Sequence, residues 1–140
     1  MHRENRKLMN SLHEAYTHEK YPSFPIISIP KYTHSDMKAN GLTKCIIDFL
    51  KFKNHHAERI NNISRWVNGR YIKSSMQKGT ADVSATIQGK SVKIEIKIGK
   101  DRQSEEQKKY QQQIIKAGGY YFIATSFDEF IIWYNLNFNI

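Results

Sequence analysis

Three features of the sequence predict a single α/β domain. Apolar residues recur at helical spacing over residues 42–50, two period-two runs flank Gln88-Gly89, and a helix, a strand and a helix follow Ser104. A length of 140 residues suits one domain, since single domains commonly run about 100–150 residues.

The elements follow in chain order. Residues 1–20 are polar and helix-capable, with Leu8, Leu12 and Tyr16 at four-residue spacing on one face. Tyr21–Pro30 carries all three prolines, and proline together with the residue before it favours extended backbone. Residues 1–35 therefore form an arm and an extended strap, and residues 36–140 the main body. Leu42, Cys45, Ile46, Phe49 and Leu50 make the stripe of a half-buried helix, with Cys45 as a small core residue. Asn54-His55-His56 ends that helix, and residues 57–61 begin a strand. Short strand pieces at Trp66-Val67 and Tyr71-Ile72 flank Asn68-Gly69. Residues 80–87 and 90–98 alternate around Gln88-Gly89 as a hairpin. Ser104 and Gln107 form a capping box, opening a helix that stops at Gly118-Gly119. Residues 120–125 read as a buried strand. Ser126 with Glu129 caps a last helix carrying Phe130, Ile131, Trp133 and Tyr134.

Composition narrows the function classes. The formal charge is +9, from 22 Lys+Arg against 13 Asp+Glu, which suits a polyanionic partner or an anionic surface. A single cysteine excludes an internal disulfide framework and a Cys-based zinc site. No apolar run approaches the ~20 residues of a membrane-spanning helix. The start MHRENRKLMN lacks the apolar core of a signal peptide. The expectation is a soluble, cytoplasmic protein without a membrane partner.

The hairpin carries the chemistry. If Gln88 and Gly89 are its two loop residues, Ile87 pairs with Lys90 and Asp82 falls directly opposite Glu95. Opposed side chains share a face about 5 Å apart, and Lys97, two residues beyond Glu95, points to that face too. Val83, Ala85, Ile87, Val92, Ile94, Ile96 and Ile98 occupy the other, core-facing side. Between Arg70 and Lys100 stand seven Lys/Arg and only two acids, Asp82 and Glu95. Opposed carboxylates repel, and a Mg²⁺ ion, which binds through one or two carboxylates plus a substrate phosphate, relieves that repulsion. A neighbouring lysine can orient or deprotonate a water and offset phosphate charge. The alternative is an ordinary solvated face, with Glu95 bridging Lys93 and Lys97.

The blocks Gly79-Thr80-Ala81-Asp82, Ile94-Glu95-Ile96-Lys97, Ser104-Glu105-Glu106-Gln107-Lys108 and Ala117-Gly118-Gly119 followed by a strand resemble the PD-(D/E)xK nuclease superfamily, most closely its VRR-NUC family. The similarity takes in Ala57-Glu58-Arg59-Ile60-Asn61-Asn62 and spans roughly residues 40–130. It implies a restriction-endonuclease-like α-β-β-β-α-β core: a mixed sheet flanked by helices, here with an N-terminal helical arm and a C-terminal helix. It further implies a Mg²⁺- or Mn²⁺-dependent nuclease acting on DNA. Asp82, Glu95 and the carbonyl of Ile96 would be metal ligands, Lys97 would activate the water, and Gln107 would orient water or phosphate. Small stand-alone members resemble phage or mobile-element nucleases acting on branched, flapped or junction DNA. One departure stands out: Asn40 occupies the place of a glutamate common in the family.

Further candidates are the basic residues. Lys44, Arg59, Arg70, Lys73, Lys100 and Arg102 are candidate phosphate contacts, with Lys51, Lys53 and Arg65 beside them. Trp66, Tyr71 and Tyr120-Tyr121 are either base-stacking or core residues; the reading favours core packing for the strand tyrosines and leaves Trp66 open. The six histidines show no metal-ligand spacing. A non-catalytic nucleic-acid-binding module is the alternative function. DNA or RNA, duplex or junction, endonuclease or exonuclease, and monomer or homodimer stay open at this level.

Overall fold

The computed structural model describes residues 1–60, 64–74 and 76–138. The chain forms α1 (Arg3–Lys20), a 3₁₀ turn (Ile26–Ser28), α2 (Ala39–Phe52), β1 (His56–Arg59), β2 (Arg65–Val67), β3 (Arg70–Ile72), β4 (Val83–Ile87), β5 (Lys90–Ile96), α3 (Glu105–Lys116), β6 (Tyr120–Ala124) and α4 (Phe127–Phe138). It is a mixed α/β protein. The main sheet has the order β1-β4-β5-β6, and β2-β3 is a separate two-stranded ribbon. β1, β4 and β5 run antiparallel, whereas β6 returns through α3 to lie parallel to β5. Helical crossovers are the usual way to bring a strand back parallel.

The β4–β5 turn has both loop residues at positive φ, 50° at Gln88 and 79° at Gly89. That is the turn geometry whose twist suits a two-residue hairpin. It sets Ile87 opposite Lys90 and Val83 opposite Ile94. The strands are shorter than the alternation in the sequence predicts. β4 starts at Val83 and β5 stops at Ile96, because Asp82 turns its side chain onto the β5 backbone instead of extending the ladder.

One face of the sheet forms the core. Val83, Ala85, Ile87, Val92, Ile94 and Ile96 pack there against Leu42, Cys45, Ile46, Phe49 and Leu50 of α2 and against Phe127, Phe130 and Tyr134 of α4. Phe49 meets Phe127, Phe130 and Tyr134 edge-on with centroids 5.0–6.0 Å apart, a geometry that adds to burial. Each such side chain contributes about 1.5–3 kcal/mol.

Residues 1–35 add to the same core. Met9 and Tyr32 are buried within it, and Leu12 packs against it. The inward face of α1 therefore carries Met9, Leu12 and, through ring contacts with Phe52, His13 and Tyr16. Leu12 and Tyr16 lie on that face as expected, whereas Leu8 is exposed and Met9 takes the inward position in its turn. The proline-containing strap is not wholly extended: after Pro25 it closes the short 3₁₀ turn, with Ser28 N–H donating to the Pro25 carbonyl at 2.9 Å. The Met1 ammonium donates to Asp36 Oδ1 at 2.7 Å, and Asp36 Oδ2 accepts the first N–H of α4, from Phe127, at 3.0 Å. Ser126 Oγ accepts from Glu129 N–H at 3.2 Å, the cap expected for this helix. Among the described residues no helix is long and apolar enough to cross a membrane.

Candidate active site

The second face of the sheet carries Ser84, Lys93, Glu95 and Tyr121, and α3 covers part of it through Tyr110 against Tyr121. Asp82 stands one residue before β4, and its Oδ2 accepts the Ile96 N–H at 2.8 Å. That bond fixes the aspartate beside the end of β5, where Glu95 and Lys97 lie. Glu95 is only 2 % exposed. Its Oε1 accepts from Gln107 Nε2 at 2.5 Å and lies 3.3 Å from Lys97 Nζ. Its Oε2 is buried and has no partner among the described residues. A buried acceptor left unpaired costs about 1–3 kcal/mol, more when charged.

Gln107 serves two ends. Its backbone N–H donates to Ser104 Oγ at 3.2 Å and its side-chain Oε1 accepts the Ser104 N–H at 2.9 Å, which completes the capping box. With Oε1 held there, the amide must present Nε2 to Glu95. The start of α3 is thereby tied to the carboxylate.

Gly79 explains how the helix comes so close. Its φ is +77°, and a Cβ there would stand 2.4 Å from the Glu106 carbonyl and 2.7 Å from the Gln107 nitrogen. Only glycine combines that backbone conformation with that approach.

The electrostatics are set by burial. Desolvation, and then the Asp82 charge, push the Glu95 carboxyl up to about 7, and Lys97 pulls only partly against them. Lys97 also lies 3.5 Å from Asp101 Oδ2. Tyr121 is raised as well, first by burial and then by the Glu95 charge.

The structure thus brings together Asp82, Glu95, Ile96, Lys97 and Gln107. Arg59 donates to Asn40 Oδ1 at 2.8 Å, so the asparagine at the start of α2 is engaged by an edge-strand guanidinium. Arg59 stays close to the carboxylates along the chain, since the next residue, Ile60, donates its N–H to the Asp82 carbonyl at 2.8 Å.

Lys44 lies elsewhere. It pairs with Asp48 and lines a cleft with His13, Tyr16, Lys31 and His34. That cleft is on the α1–α2 side, and the core separates it from Glu95. Lys100 and Arg102 are exposed in the loop after β5, where Arg102 donates to the carbonyls of Gly99 and Asp101. Arg70 and Lys73 are exposed on or beside the β2–β3 ribbon.

Tyr71 is exposed too, a correction to the core packing expected of the strand tyrosines, because the ribbon joins no sheet that could bury it. Tyr120 and Tyr121 are half-buried. Asn61 and Asn62 of the block that begins at Ala57 lie outside the described residues.

Two contributors were missed by sequence reasoning. Asp101 follows Lys97 by one helical turn's spacing in a loop, a separation that signals nothing there. Tyr121 reaches the site through the parallel β5–β6 pairing, which local pattern does not encode. Among the described residues no group of three or more His, Cys, Asp and Glu gathers.

The two acids nevertheless suit a hard cation. Asp82 Oδ1 and Glu95 Oε2 take no hydrogen bond among the described residues, and both are carboxylate oxygens, the donors such ions prefer. In comparisons with protein-family models, with curated proteins and with solved structures, no family model, no curated protein and no solved structure matches the chain.

Proposed function

We propose that the chain is a divalent-metal-dependent nuclease that hydrolyses DNA phosphodiester bonds. The observation that carries this reading is the buried Glu95 carboxylate, with one oxygen unpartnered among the described residues, its carboxyl pushed up to about 7, and Asp82, Lys97 and Gln107 gathered around it. A buried acid held beside another acid is costly unless a cation joins them, and such arrangements concentrate at functional sites. The order α2-β1-β4-β5-α3-β6, with β6 parallel to β5, supports the restriction-endonuclease-like core and the VRR-NUC resemblance.

Asp82, Glu95 and the Ile96 carbonyl would hold Mg²⁺ or Mn²⁺. When bound, the ion supplies Lewis-acid polarisation of a phosphate oxygen. The chain's own groups do the rest. Lys97, nearly enclosed and flanked by Glu95 and Asp101, offers a donor that orients a water and offsets developing negative charge. Gln107 holds the Glu95 carboxylate in place, and the Ile96 amide holds Asp82. Arg59, Arg70, Lys73, Lys100 and Arg102 would contact backbone phosphates, which position the substrate without reading sequence.

The test is cleavage of labelled linear, flapped and four-way-junction DNA at low salt with EDTA, Mg²⁺ or Mn²⁺. Metal-dependent cutting should fall at least about a hundredfold in Asp82→Ala and Lys97→Ala, the scale of removing one transition-state donor. The engagement of Asn40 by Arg59 favours a second reading, a nuclease fold that binds nucleic acid without cutting it. Equal binding by wild type and both variants, with no cleavage, would establish that reading instead.

A further inference from the structure

We infer that the β2–β3 ribbon is a stacking platform for unpaired bases next to the carboxylate site; the inference rests on the nucleic-acid reading above and names its substrate class. Asn68 and Gly69 at φ 50° and 75° close the ribbon with a two-residue turn. The ribbon sets Trp66 directly opposite Tyr71. Directly opposed residues share a face, and these two rings stand 5.6 Å apart. They are nevertheless 72 % and 58 % exposed. A neighbouring aromatic pair left largely in water is costly unless something covers it.

Charge identifies what covers it. Residues 65–79 contain Arg65, Arg70, Lys73 and Lys78 and no acid. Among the described residues none of these four makes an ion pair. Flat π-faces flanked by unpaired cations match a single strand, whose bases stack on aromatics while its phosphates meet the cations.

Position supports the same partner. The segment that bears the ribbon leaves the main sheet at Ile60, bonded to the Asp82 carbonyl. It returns at Gln77, whose Nε2 donates to Gln113 Oε1 of α3 at 2.6 Å, and at Gly79, pressed on Gln107. Ile60 and Gly79 thus both adjoin the carboxylate site, and the ribbon lies between them in the chain.

The experiment measures fluorescence anisotropy in EDTA with a labelled blunt duplex and with the same duplex carrying an unpaired thymidine tail, and a uridine tail in a parallel arm. Wild type should bind tailed duplex more tightly than blunt. Trp66→Ala/Tyr71→Ala should lower that preference about five- to hundredfold, the span of base–aromatic stacking. A second readout uses Trp133→Phe, which leaves Trp66 as the sole indole: stacking on either tail should quench its emission, and blunt duplex should not. The two tails separate DNA from RNA as the source of the strand. Equal binding of blunt and tailed duplex by wild type, or an unquenched Trp66, overturns the inference. Tail preference without metal-dependent cutting sinks the nuclease reading alone; cutting without tail preference sinks the ribbon alone.

Discussion

Glu95→Gln should make the metal-free protein more stable, and only above a definable pH. The glutamate carboxyl has an ordinary value of 4.5 and is raised to about 7 in the fold, chiefly by burial and next by Asp82. The folded state therefore holds its proton through a window in which the unfolded chain has already released it. Stability is fully present below about 4.5 and is lost as pH rises toward about 7. At about 1.4 kcal/mol for each pKa unit separating the two states, the loss amounts to about 3 kcal/mol at pH above 7. Glutamine copies the protonated acid in shape and carries no charge. Urea unfolding in EDTA should show wild type and variant alike near pH 4.5. At pH 8 the variant midpoint should be higher by roughly 1–3 M, given slopes of about 1–3 kcal/mol per molar urea. Adding Mn²⁺ at about a hundred times its dissociation constant should return about 2.7 kcal/mol to wild type and little to the variant. A gap between the two proteins that is the same at every pH would refute the reasoning, as would a variant less stable at pH 8.

The remaining predictions concern how the site is held. Gln107→Glu should keep the cap on Ser104, since a carboxylate oxygen still accepts its N–H, but replace the donor to Glu95 with a like charge; cleavage should fall with helix content by circular dichroism unchanged. Gly79→Ala should destabilise the fold by at least the roughly 1–2 kcal/mol of a left-handed residue with a Cβ, read as a lower melting temperature, and reduce cleavage, because the added carbon meets α3 backbone. Asp36→Ala should cost about 1–3 kcal/mol in urea unfolding, the scale of leaving a buried polar group unsatisfied, since it leaves the Phe127 amide unpaired and the Met1 ammonium with Asp128 alone, at 3.5 Å. Burial alone would raise the Asp36 carboxyl, but the Met1 ammonium and the Phe127 amide outweigh it and hold the group below its usual range. The stability it supplies is accordingly present above pH 3.8 and lost as pH falls through its lowered folded value, so acid titration over that interval should destabilise wild type more steeply than Asp36→Ala, in which Asp128 still contributes.

Which parts of this were legible depends on how local the controlling interaction is. The stripe from Leu42 to Leu50 reads directly, because a helix three to four turns long repeats its buried face several times. The β4–β5 register reads directly too, since a two-residue loop leaves one pairing, and with it the nearness of Asp82 to Glu95. The capping box at Ser104 was visible as a local pattern, and its Gln107 was assigned two compatible roles. Non-local pairings were not visible. Nothing near Tyr121 indicates that β6 lies parallel to β5, so its place beside Glu95 was missed. Lys44 shares a helix with the Asn40 end of the site, yet the salt bridge to Asp48 and the packing of α1 put it on the far side of the core. Leu8, Leu12 and Tyr16 share a four-residue spacing, but the buried stripe runs Met9, Leu12, His13 and Tyr16, so a strict four-residue row drifts off the inward face at Leu8. Trp66 and Tyr71 carry strand propensity whether or not a sheet receives them, and only the three-dimensional arrangement leaves them in water.

The way Glu95 is held bears on what the pocket is for. A helix N-terminus, an amide donor and a lysine all favour a carboxylate anion, and Glu95 has each of them within reach: the start of α3, Gln107 and Lys97. Its pKa is nonetheless raised, with burial and the Asp82 charge outweighing Lys97. A site evolved only to fasten α3 to the sheet would do better with a neutral partner for Gln107, and glutamine at position 95 would supply one. Keeping a second acid next to a buried one makes physical sense when a further positive charge joins them for part of the working cycle. Lys97 does not fill that role at rest, since it is shared with Asp101 and leaves Glu95 Oε2 unpaired. The same arithmetic that makes the charged Glu95 costly to the fold would make it a strong ligand for a cation under the proposed reading, and the pH window of its destabilisation is where that exchange can be measured.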